Sequence, residues 1–229
     1  MLAFIGNMFD NRANYKWSKR LISVRRVDMS YSIVKTLQAL AYLLQLDDNH
    51  KMNRLKLIKL LWVADRLHIR RHGRTITISD YYALPHGPVN SLALDIASIN
   101  ADYLSEEVIA YISKYLTADK SDTAMSLSPG DECLSASEKN MLEMAYQKFG
   151  QMDEFVLADN VSHRYPEWTK REEELKDGVS NRVLIDKSDF FQNPDDDEYF
   201  KEPSNVLNAS KEAYAEYIEI DSLPGIMHS

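Results

Sequence analysis

The stretch KLLWVADRLHIRRHGRTITISDYYALPHGPV, which runs from Lys59 to Val89, decides the fold. Its first part is densely apolar around most of a helical circumference, and a basic run precedes Gly73. Positive charge in a last helical turn complements the helix dipole, and glycine readily takes the left-handed conformation that follows a helix. This pattern predicts a central, largely buried helix over residues 52–72. Its one narrow polar stripe is formed by Lys56, Lys59, Arg66 and Arg70.

The second half of the same stretch predicts a small β element. Threonine and isoleucine alternate from residue 75, and the pattern continues to residue 84, which is typical of strands. The Ser79-Asp80 pair in its middle predicts the turn of a hairpin over residues 75–84. Pro88 then suits the first turn of a helix that runs to about Ile99, because its missing N–H costs no hydrogen bond there.

Helical patterns flank this stretch on both sides. Ser30 is an N-cap candidate ahead of apolar residues at helical spacing, and Ser135 with Glu138 has the spacing of a capping box. Further helices are predicted over residues 105–115, 153–161 and 204–218, and short strands over 123–127 and 183–185. We therefore expect a mainly α (α+β) fold, a single helical domain with a small β-hairpin or short antiparallel sheet.

Composition limits the class of protein. The chain has 229 residues, of which 45% are apolar, and this is enough to bury one core. Its single cysteine excludes an internal disulfide and every multi-cysteine metal site, which fits a reducing compartment. The sequence contains no apolar run near the roughly 20 residues that a membrane helix needs. We therefore expect a cytoplasmic protein without a cofactor.

Charge is distributed unevenly along the chain. Residues 1–28 carry a net charge of +4, whereas residues 186–221 carry −8. An acidic surface predicts a basic partner and argues against nucleic acid, because binding phosphate requires dense Lys and Arg. A solvated acidic tail is the alternative explanation. We divide the chain into a basic N-terminal extension (1–28), a helical domain (29–200) and an acidic C-terminal tail with a helical pattern (201–229).

Several short motifs occur together in an order that is more specific than any one of them. They are Lys59-Leu60-Leu61, Ala64-Asp65, His68, Gly73, Asp80-Tyr81-Tyr82-Ala83, Gly87-Pro88-Val89, Leu134-Ser135, and Ser162-His163 to Trp168. In these motifs the chain resembles the Panacea domain (DUF4065) family over roughly residues 31–200. That family consists of phage-associated bacterial proteins and includes the SocA-like antitoxins of toxin-antitoxin systems.

The resemblance implies a function in protein binding. Family members neutralise a cognate toxin, encoded by an adjacent gene, by direct binding, and we expect the same of this chain. Some related proteins instead deliver their toxin to a protease complex, so a proteolytic adaptor or regulatory protein-binding module is the alternative. The oligomeric state and the identity of the toxin do not follow from the sequence.

The helix offers two histidines and an aspartate as candidate site residues. His68 and His72 have the spacing of metal ligands on a helix, but a third ligand is not near in the sequence, so we expect no metal. We interpret Asp65 and His68 as an internal hydrogen-bonded pair that anchors the hairpin, because a buried carboxylate or imidazole needs a partner. A third hypothesis is an enzyme with a His/Asp site at Asp65, His68 and His86. The sequence contains no nucleophile elbow, P-loop or paired catalytic carboxylate motif, so we expect no catalytic residue.

Two further motifs have a structural and a functional interpretation each. Gly87 and Pro88, after His86, either shape a tight corner or leave N–H groups free to hold an anion. His163 and Trp168 either close an edge of the core or stack on a ligand. We favour the structural interpretation for both motifs.

The partner-binding residues are predicted from what interfaces need. Tyrosine anchors hold a partner, while charges mainly steer its approach. Tyr81, Tyr82 and His86 supply candidate anchors, and alternation along a strand exposes at most one of the two tyrosines on each face. The candidates for charge steering are Asp195, Asp196 and Asp197.

Overall fold

The structure is a computed structural model that describes residues 29–176, 180–194, 197 and 199–222. It is 57% helical and 11% strand, which confirms the predicted mainly α class. The α-helices are α1 (Met29–Gln45), α2 (Arg54–His72), α3 (Ser91–Ser98), α4 (Glu106–Ile112), α5 (Ala136–Phe149), α6 (Pro166–Thr169), α7 (Glu172–Lys176) and α8 (Ser204–Ser222). The strands are β1 (Lys51–Asn53), β2 (Tyr81–Leu84), β3 (Gly87–Asn90), β4 (Leu116–Ala118), β5 (Asp122–Met125) and β6 (Val183–Leu184). A π-helix spans Val156–Val161, and 3₁₀-helices span Ser162–Arg164 and Lys187–Phe191.

Helix α2 is the centre of the molecule, as the sequence predicts. It packs against α1, α5 and α8, and most of its side chains are buried. The Asn53 side chain caps its first turn by accepting a hydrogen bond from the Leu55 N–H at 2.8 Å. Gly73 ends it in the left-handed conformation, with φ +70°, and donates to the Ile69 carbonyl at 2.9 Å. The predicted stop at Gly73 is confirmed.

The strands form two small antiparallel sheets at different places along α2. One sheet has the order β1-β5-β4 and the other the order β3-β2-β6. The predicted strands at residues 123–127 and 183–185 correspond to β5 and β6. The helix predicted over residues 105–115 ends at Ile112, residues 113–115 form a turn, and β4 follows from Leu116.

The hairpin lies further along the chain than the sequence predicted. It pairs β2 with β3, and Leu84 lies opposite Gly87, so the turn is at Pro85-His86 and not at Ser79-Asp80. The backbone N–H groups of Ile76 and Thr77 are already bonded to Asp65, and therefore do not form a strand ladder.

The helix predicted at Pro88 also begins later than expected. Pro88 lies in β3, an edge strand, where a residue without an N–H is tolerated. Asn90 instead caps α3, and its side chain accepts from the Ala93 N–H at 2.9 Å. Asparagine is among the best N-cap residues, so it determines where the helix starts.

Helix α8 lies across the C-terminal end of α2. A Cβ atom on Gly73 would lie 2.8 Å from the Cβ of Ala213, so the absence of a side chain at Gly73 allows the two helices to touch. This contact gives Gly73 a second reason to be glycine. Among the described residues, none of the helices combines the length and apolarity needed to span a membrane. The extension predicted at residues 1–28 lies outside the described residues.

Candidate functional site

Asp65 anchors the segment that follows α2. Its carboxylate is fully buried, and Oδ1 accepts hydrogen bonds from the N–H groups of Ile76 at 2.6 Å and Thr77 at 3.1 Å. Oδ2 accepts from the Tyr81 hydroxyl at 2.6 Å and from the Thr77 hydroxyl. Burial raises the pKa of Asp65, and these hydrogen bonds oppose that rise. The carboxylate thus holds the start of β2 to the helix, as expected of an anchor for the hairpin.

His68 does not form the predicted pair with Asp65. Its Nδ1 lies 2.7 Å from the Arg74 carbonyl oxygen, and its Nε2 lies 3.2 Å from Ser137 Oγ. Burial lowers the pKa of His68 to about 4, so the ring is neutral at physiological pH. The chain turns back after Gly73 and brings separate partners to the two side chains, which is why the expected pair does not form.

The two histidines of α2 lie close together. The rings of His68 and His72 are 4.5 Å apart. In the part of the chain that the structure describes, no group of three or more His, Cys, Asp or Glu side chains is arranged to hold a metal ion.

A second cluster joins α2 to the hairpin turn and to the segment after the π-helix. The Lys59 ammonium is fully buried and donates to the Pro88 carbonyl at 2.8 Å. Burial lowers the pKa of Lys59 well below its ordinary value, although the charge of Asp159 opposes this shift. Gly87 has φ +95°, and a Cβ there would lie 2.7 Å from Lys59 Nζ and collide with Ser162 Oγ. Only glycine fits between these two groups.

His163 and Trp168 close the edge of this cluster. Their rings are stacked with centroids 3.8 Å apart and an interplanar angle of 12°, and Trp168 Nε1 donates to the Leu84 carbonyl at 2.8 Å. Burial and the nearby Lys59 charge lower the pKa of His163 to about 4. The indole therefore attaches this segment to β2, which supports the structural interpretation of the pair.

The outer rim of the cluster contains an acidic residue that the sequence did not single out. Asp159, from the π-helix, is about half exposed, and its Oδ1 lies 3.9 Å from His86 Nδ1 and 3.8 Å from His163 Nδ1. The alternative interpretation of the His86 turn, anion binding, was based on the free N–H groups of a helix N-terminus. The turn leads into β3 and not into a helix, so the structure does not support that interpretation.

Arg66 and Arg70 of the polar stripe are buried and bind the C-terminal half of the chain. Arg66 forms an ion pair with Glu167 at 2.6 Å, and both side chains have no exposed surface. Trp62 Nε1 donates to the same carboxylate at 3.1 Å. Arg70 donates to the carbonyls of Phe190 and Phe200 at 2.7 and 3.1 Å. A row of cations on an otherwise apolar helix was the only sequence signal for these contacts.

The predicted partner-binding residues differ in how accessible they are. Tyr81 is fully buried against Asp65 and cannot contact a partner directly. Tyr82 points to the other face of the strand, where the Arg182 guanidinium lies 3.6 Å from the centre of its ring. His86 is partly exposed. A role of Tyr82 and His86 in partner binding stays a prediction.

The acidic block consists of the three predicted charge-steering residues, Asp195, Asp196 and Asp197. Of these, Asp197 forms hydrogen bonds within the domain. Asp197 Oδ1 accepts hydrogen bonds from the Tyr165 hydroxyl at 2.8 Å and from the Phe200 N–H at 3.1 Å. These contacts tie it to the core, so its charge is not simply available to a partner. Asp195 and Asp196 lie outside the described residues.

Comparison with known proteins yields one family. Residues 57–169 match the family described as antitoxin SocA-like, Panacea domain. The matched range begins in α2 and ends with α6, so it contains Asp65, the hairpin and the stacked His163-Trp168 pair. Neither the curated proteins nor the solved structures yield a match to the chain. Residues 57–169 of this chain thus match the Panacea domain described for SocA-like antitoxins.

Proposed function

We propose that this chain is an antitoxin that neutralises a protein toxin in the cytoplasm by binding it directly. The observation that carries the proposal is the match of residues 57–169 to the SocA-like antitoxin family. A partner encoded by an adjacent gene is part of the proposal, because the resemblance to the Panacea domain family implies it.

The positions of the polar signature residues support binding rather than catalysis. Asp65, His68 and Lys59 are fully buried, and each is hydrogen-bonded to a backbone or side-chain group of the domain. Catalysis requires groups that reach the reacting atoms of a substrate. Side chains that instead connect α2 to the hairpin build a rigid surface, and a pre-organised surface binds a partner at lower entropic cost.

The test is co-expression with the neighbouring genes in the native host. Each adjacent open reading frame is induced alone and then together with this chain, and growth is followed. We expect one product to arrest growth and the intact chain to restore it, whereas the same gene with an early stop codon should not. The two proteins should then purify as a complex of fixed stoichiometry. Arrest by an adjacent product that the chain neither relieves nor binds would contradict the proposal.

Two further measurements separate this function from the alternatives. A proteolytic adaptor would shorten the half-life of the toxin in cells, whereas an inhibitor leaves that half-life unchanged or lengthens it. An enzyme would inactivate many toxin molecules per chain, whereas a binding protein relieves toxicity only when it equals the toxin in amount. We expect an unchanged half-life and stoichiometric relief.

A further inference from the structure

The π-helix presents a partly apolar surface beside the hairpin turn. The side that faces the core is formed by its buried residues, which are Leu157, Ala158 and Val161. On the outer side, Val156 is 39% exposed and Phe155, just before it, is partly exposed. Among the described residues, Phe155 does not belong to the apolar side chains that form the core or pack against it. Its ring instead lies 6.4 Å from that of His86 in the turn.

The carboxylate of Asp159 lies within this surface. Asp159 follows Phe155 by four residues, which places the two side chains on the same side of the helix. Its Oδ1 lies 3.9 Å from Nδ1 of His86, the same residue whose ring contacts Phe155. The carboxylate, Phe155 and His86 therefore form one continuous surface. The Asp159 side chain is 51% exposed, so a partner can reach it.

The hydrogen-bonding capacity of Asp159 is not used by the domain. The Nδ1 atoms of His86 and His163 lie 3.9 and 3.8 Å from Oδ1, which is longer than a hydrogen bond. Lys59, the buried cation behind this surface, donates to the Pro88 carbonyl instead. In the part of the chain that the structure describes, no N–H or O–H group donates to this carboxylate. A carboxylate accepts up to about four hydrogen bonds, so Asp159 can accept donors from another molecule.

An exposed carboxylate beside aromatic rings fits an arginine of a partner protein. A guanidinium donates two parallel hydrogen bonds to a carboxylate and also stacks on aromatic faces. Charge favours the same kind of partner, because Asp153 is exposed at the start of this helix and the whole chain has a net charge of −8. A second copy of the chain would bring carboxylate against carboxylate, and the phosphates of nucleic acid or lipid would be repelled. A basic protein surface is therefore the occupant that this surface favours.

We propose that Phe155, Val156, Asp159 and His86 form the surface on which the toxin docks, and that an arginine of the toxin binds the Asp159 carboxylate. The inference rests on the proposed antitoxin function and deepens it, because it names the contact and the chemistry of the partner. All four residues lie within the range that matches the Panacea domain. Phe155 and Val156 supply the apolar part of the contact, and Asp159 supplies its charge.

The experiment measures binding of the purified neighbouring-gene product that arrests growth to the purified full chain. We expect D159N to dissociate at least about tenfold faster, because the amide keeps the shape of the side chain but loses the charge that holds the guanidinium. V156R should weaken binding at least about tenfold, since it places a cation where the partner brings one. The controls D102N and L127R make the same kinds of change at exposed residues after α3 and β5. Both should stay within about twofold of the wild type.

Exchanging the two charges tests the arginine itself. We expect D159R to weaken binding at least about a hundredfold, because two cations then face each other in the interface. Each arginine of the partner is next replaced by aspartate, one at a time. One of these replacements should restore at least about tenfold of the affinity that D159R loses, since the ion pair is formed again with its charges exchanged.

The outcomes separate this inference from the function on which it rests. If the wild type binds and relieves toxicity while D159N and V156R bind equally well, the docking surface is wrong and the antitoxin function stands. If no arginine replacement in the partner restores binding to D159R, the proposed ion pair is wrong. If D159N lowers the thermal midpoint of the unbound chain and keeps full affinity, Asp159 serves the fold, which also overturns the inference. If the wild type neither binds nor relieves the neighbouring product, the proposed function fails and the docking surface fails with it.

Discussion

At the residue scale, the buried Asp65 carboxylate accepts hydrogen bonds from several donors at once. Replacing Asp65 with Ala leaves the N–H groups of Ile76 and Thr77 and the Tyr81 hydroxyl without their acceptor. We expect D65A to lower the free energy of unfolding by on the order of 3 kcal/mol, since each buried unpaired donor costs roughly 1–3 kcal/mol and the segment relaxes in part. Urea denaturation measures this loss. The exposed D102A should change stability by less than about 0.5 kcal/mol, and a D65A value that small would mean that the segment finds other acceptors.

Leu61 tests whether α2 is the centre of the core. Its side chain has no exposed surface. Truncation to Ala removes buried methyl groups and leaves a cavity, so we expect L61A to cost about 2–5 kcal/mol of stability. Leu127, which is 59% exposed, provides the matched truncation. Equal effects of L61A and L127A in denaturation experiments would show that burial at residue 61 contributes nothing.

Individual residues also show where sequence reasoning stops. Asp65 and His68 were predicted to form a hydrogen-bonded pair that anchors the hairpin, because a buried carboxylate or imidazole needs a partner and residues three apart on a helix are neighbours. Asp65 does anchor the hairpin segment, but through Ile76, Thr77 and Tyr81. The structure instead gives His68 the Arg74 carbonyl, which only the path of the chain after Gly73 brings within reach. Helical spacing shows which residues of one helix are neighbours. It does not show which hydrogen-bonding groups a later segment of the chain brings to them.

At the element scale, the capping box of α5 also connects three parts of the chain. Glu138 accepts from the Ser135 N–H at 2.7 Å, from Lys35 of α1 at 2.7 Å and from Arg74 at 2.5 Å. Burial alone would raise the pKa of Glu138, but these donors outweigh it and lower the pKa to about 2. The carboxylate is therefore more acidic in the folded chain than in the unfolded one.

That shift predicts a dependence of stability on pH. A carboxylate whose pKa is lower in the folded state than in the unfolded state stabilises the fold most at a pH above its unfolded pKa, which is 4.5 here. This contribution disappears as the pH falls toward the folded pKa of about 2. We expect the unfolding free energy of the wild type to fall more steeply than that of E138Q between about pH 5 and pH 3. Urea denaturation across this range measures both slopes. The exposed E107Q should follow the wild type, and parallel curves for E138Q and the wild type would contradict the prediction.

Two of the helix ends that the sequence predicted correctly are defined by local capping. The stop of α2 at Gly73 and the capping box of α5 depend on residues within one turn of the helix end. The hairpin was misplaced because its alternation begins six residues before the first strand. The alternating pattern of residues 75–84 does not show that the N–H groups of Ile76 and Thr77 bond to Asp65 instead of to a neighbouring strand. Because these two N–H groups bond to Asp65, which lies more than ten residues earlier in the sequence, the strands begin only after them.

At the scale of the whole molecule, α2 joins the two halves of the chain through buried cations. Arg66 pairs with Glu167, and Arg70 donates to the Phe190 and Phe200 carbonyls. These partners lie more than one hundred residues further along the sequence. A stripe of cations on a buried helix indicates that such partners exist, but no local pattern identifies them.

The same scale gives a test of the N-terminal extension. The helical pattern begins at Ser30, and α1 begins at Met29. We expect a chain that starts at Met29 to keep the thermal midpoint of the full chain within a few degrees, equivalent to about 1 kcal/mol or less at this size. Scanning calorimetry of the two proteins under one condition provides the comparison. A large drop would mean that residues 1–28 contribute to the stability of the domain.

Long-range charge belongs to the whole molecule as well, and it predicts the association rate of the toxin partner that we propose. Residues 186–221 carry a net charge of −8, so a basic toxin should be attracted over about a Debye length, roughly 10 Å at 0.1 M salt. Asp197 is excluded from the test, because its hydrogen bonds to Tyr165 and Phe200 make it part of the folded core. The neutralising variant is therefore D195N/D196N.

This variant should change the rate of association and leave the rate of dissociation unchanged. Attraction between separated charges accelerates encounter, whereas contacts made in the complex determine how long it lasts. We expect D195N/D196N to bind the toxin about two- to fivefold more slowly at low salt, with a flatter salt dependence than the wild type. The control D102N/E107Q removes two exposed acids outside the acidic region, so it separates local steering from net charge. If D195N/D196N and the control associate at the same rate at low salt, the acidic block is a solvated segment and the toxin is recognised without it.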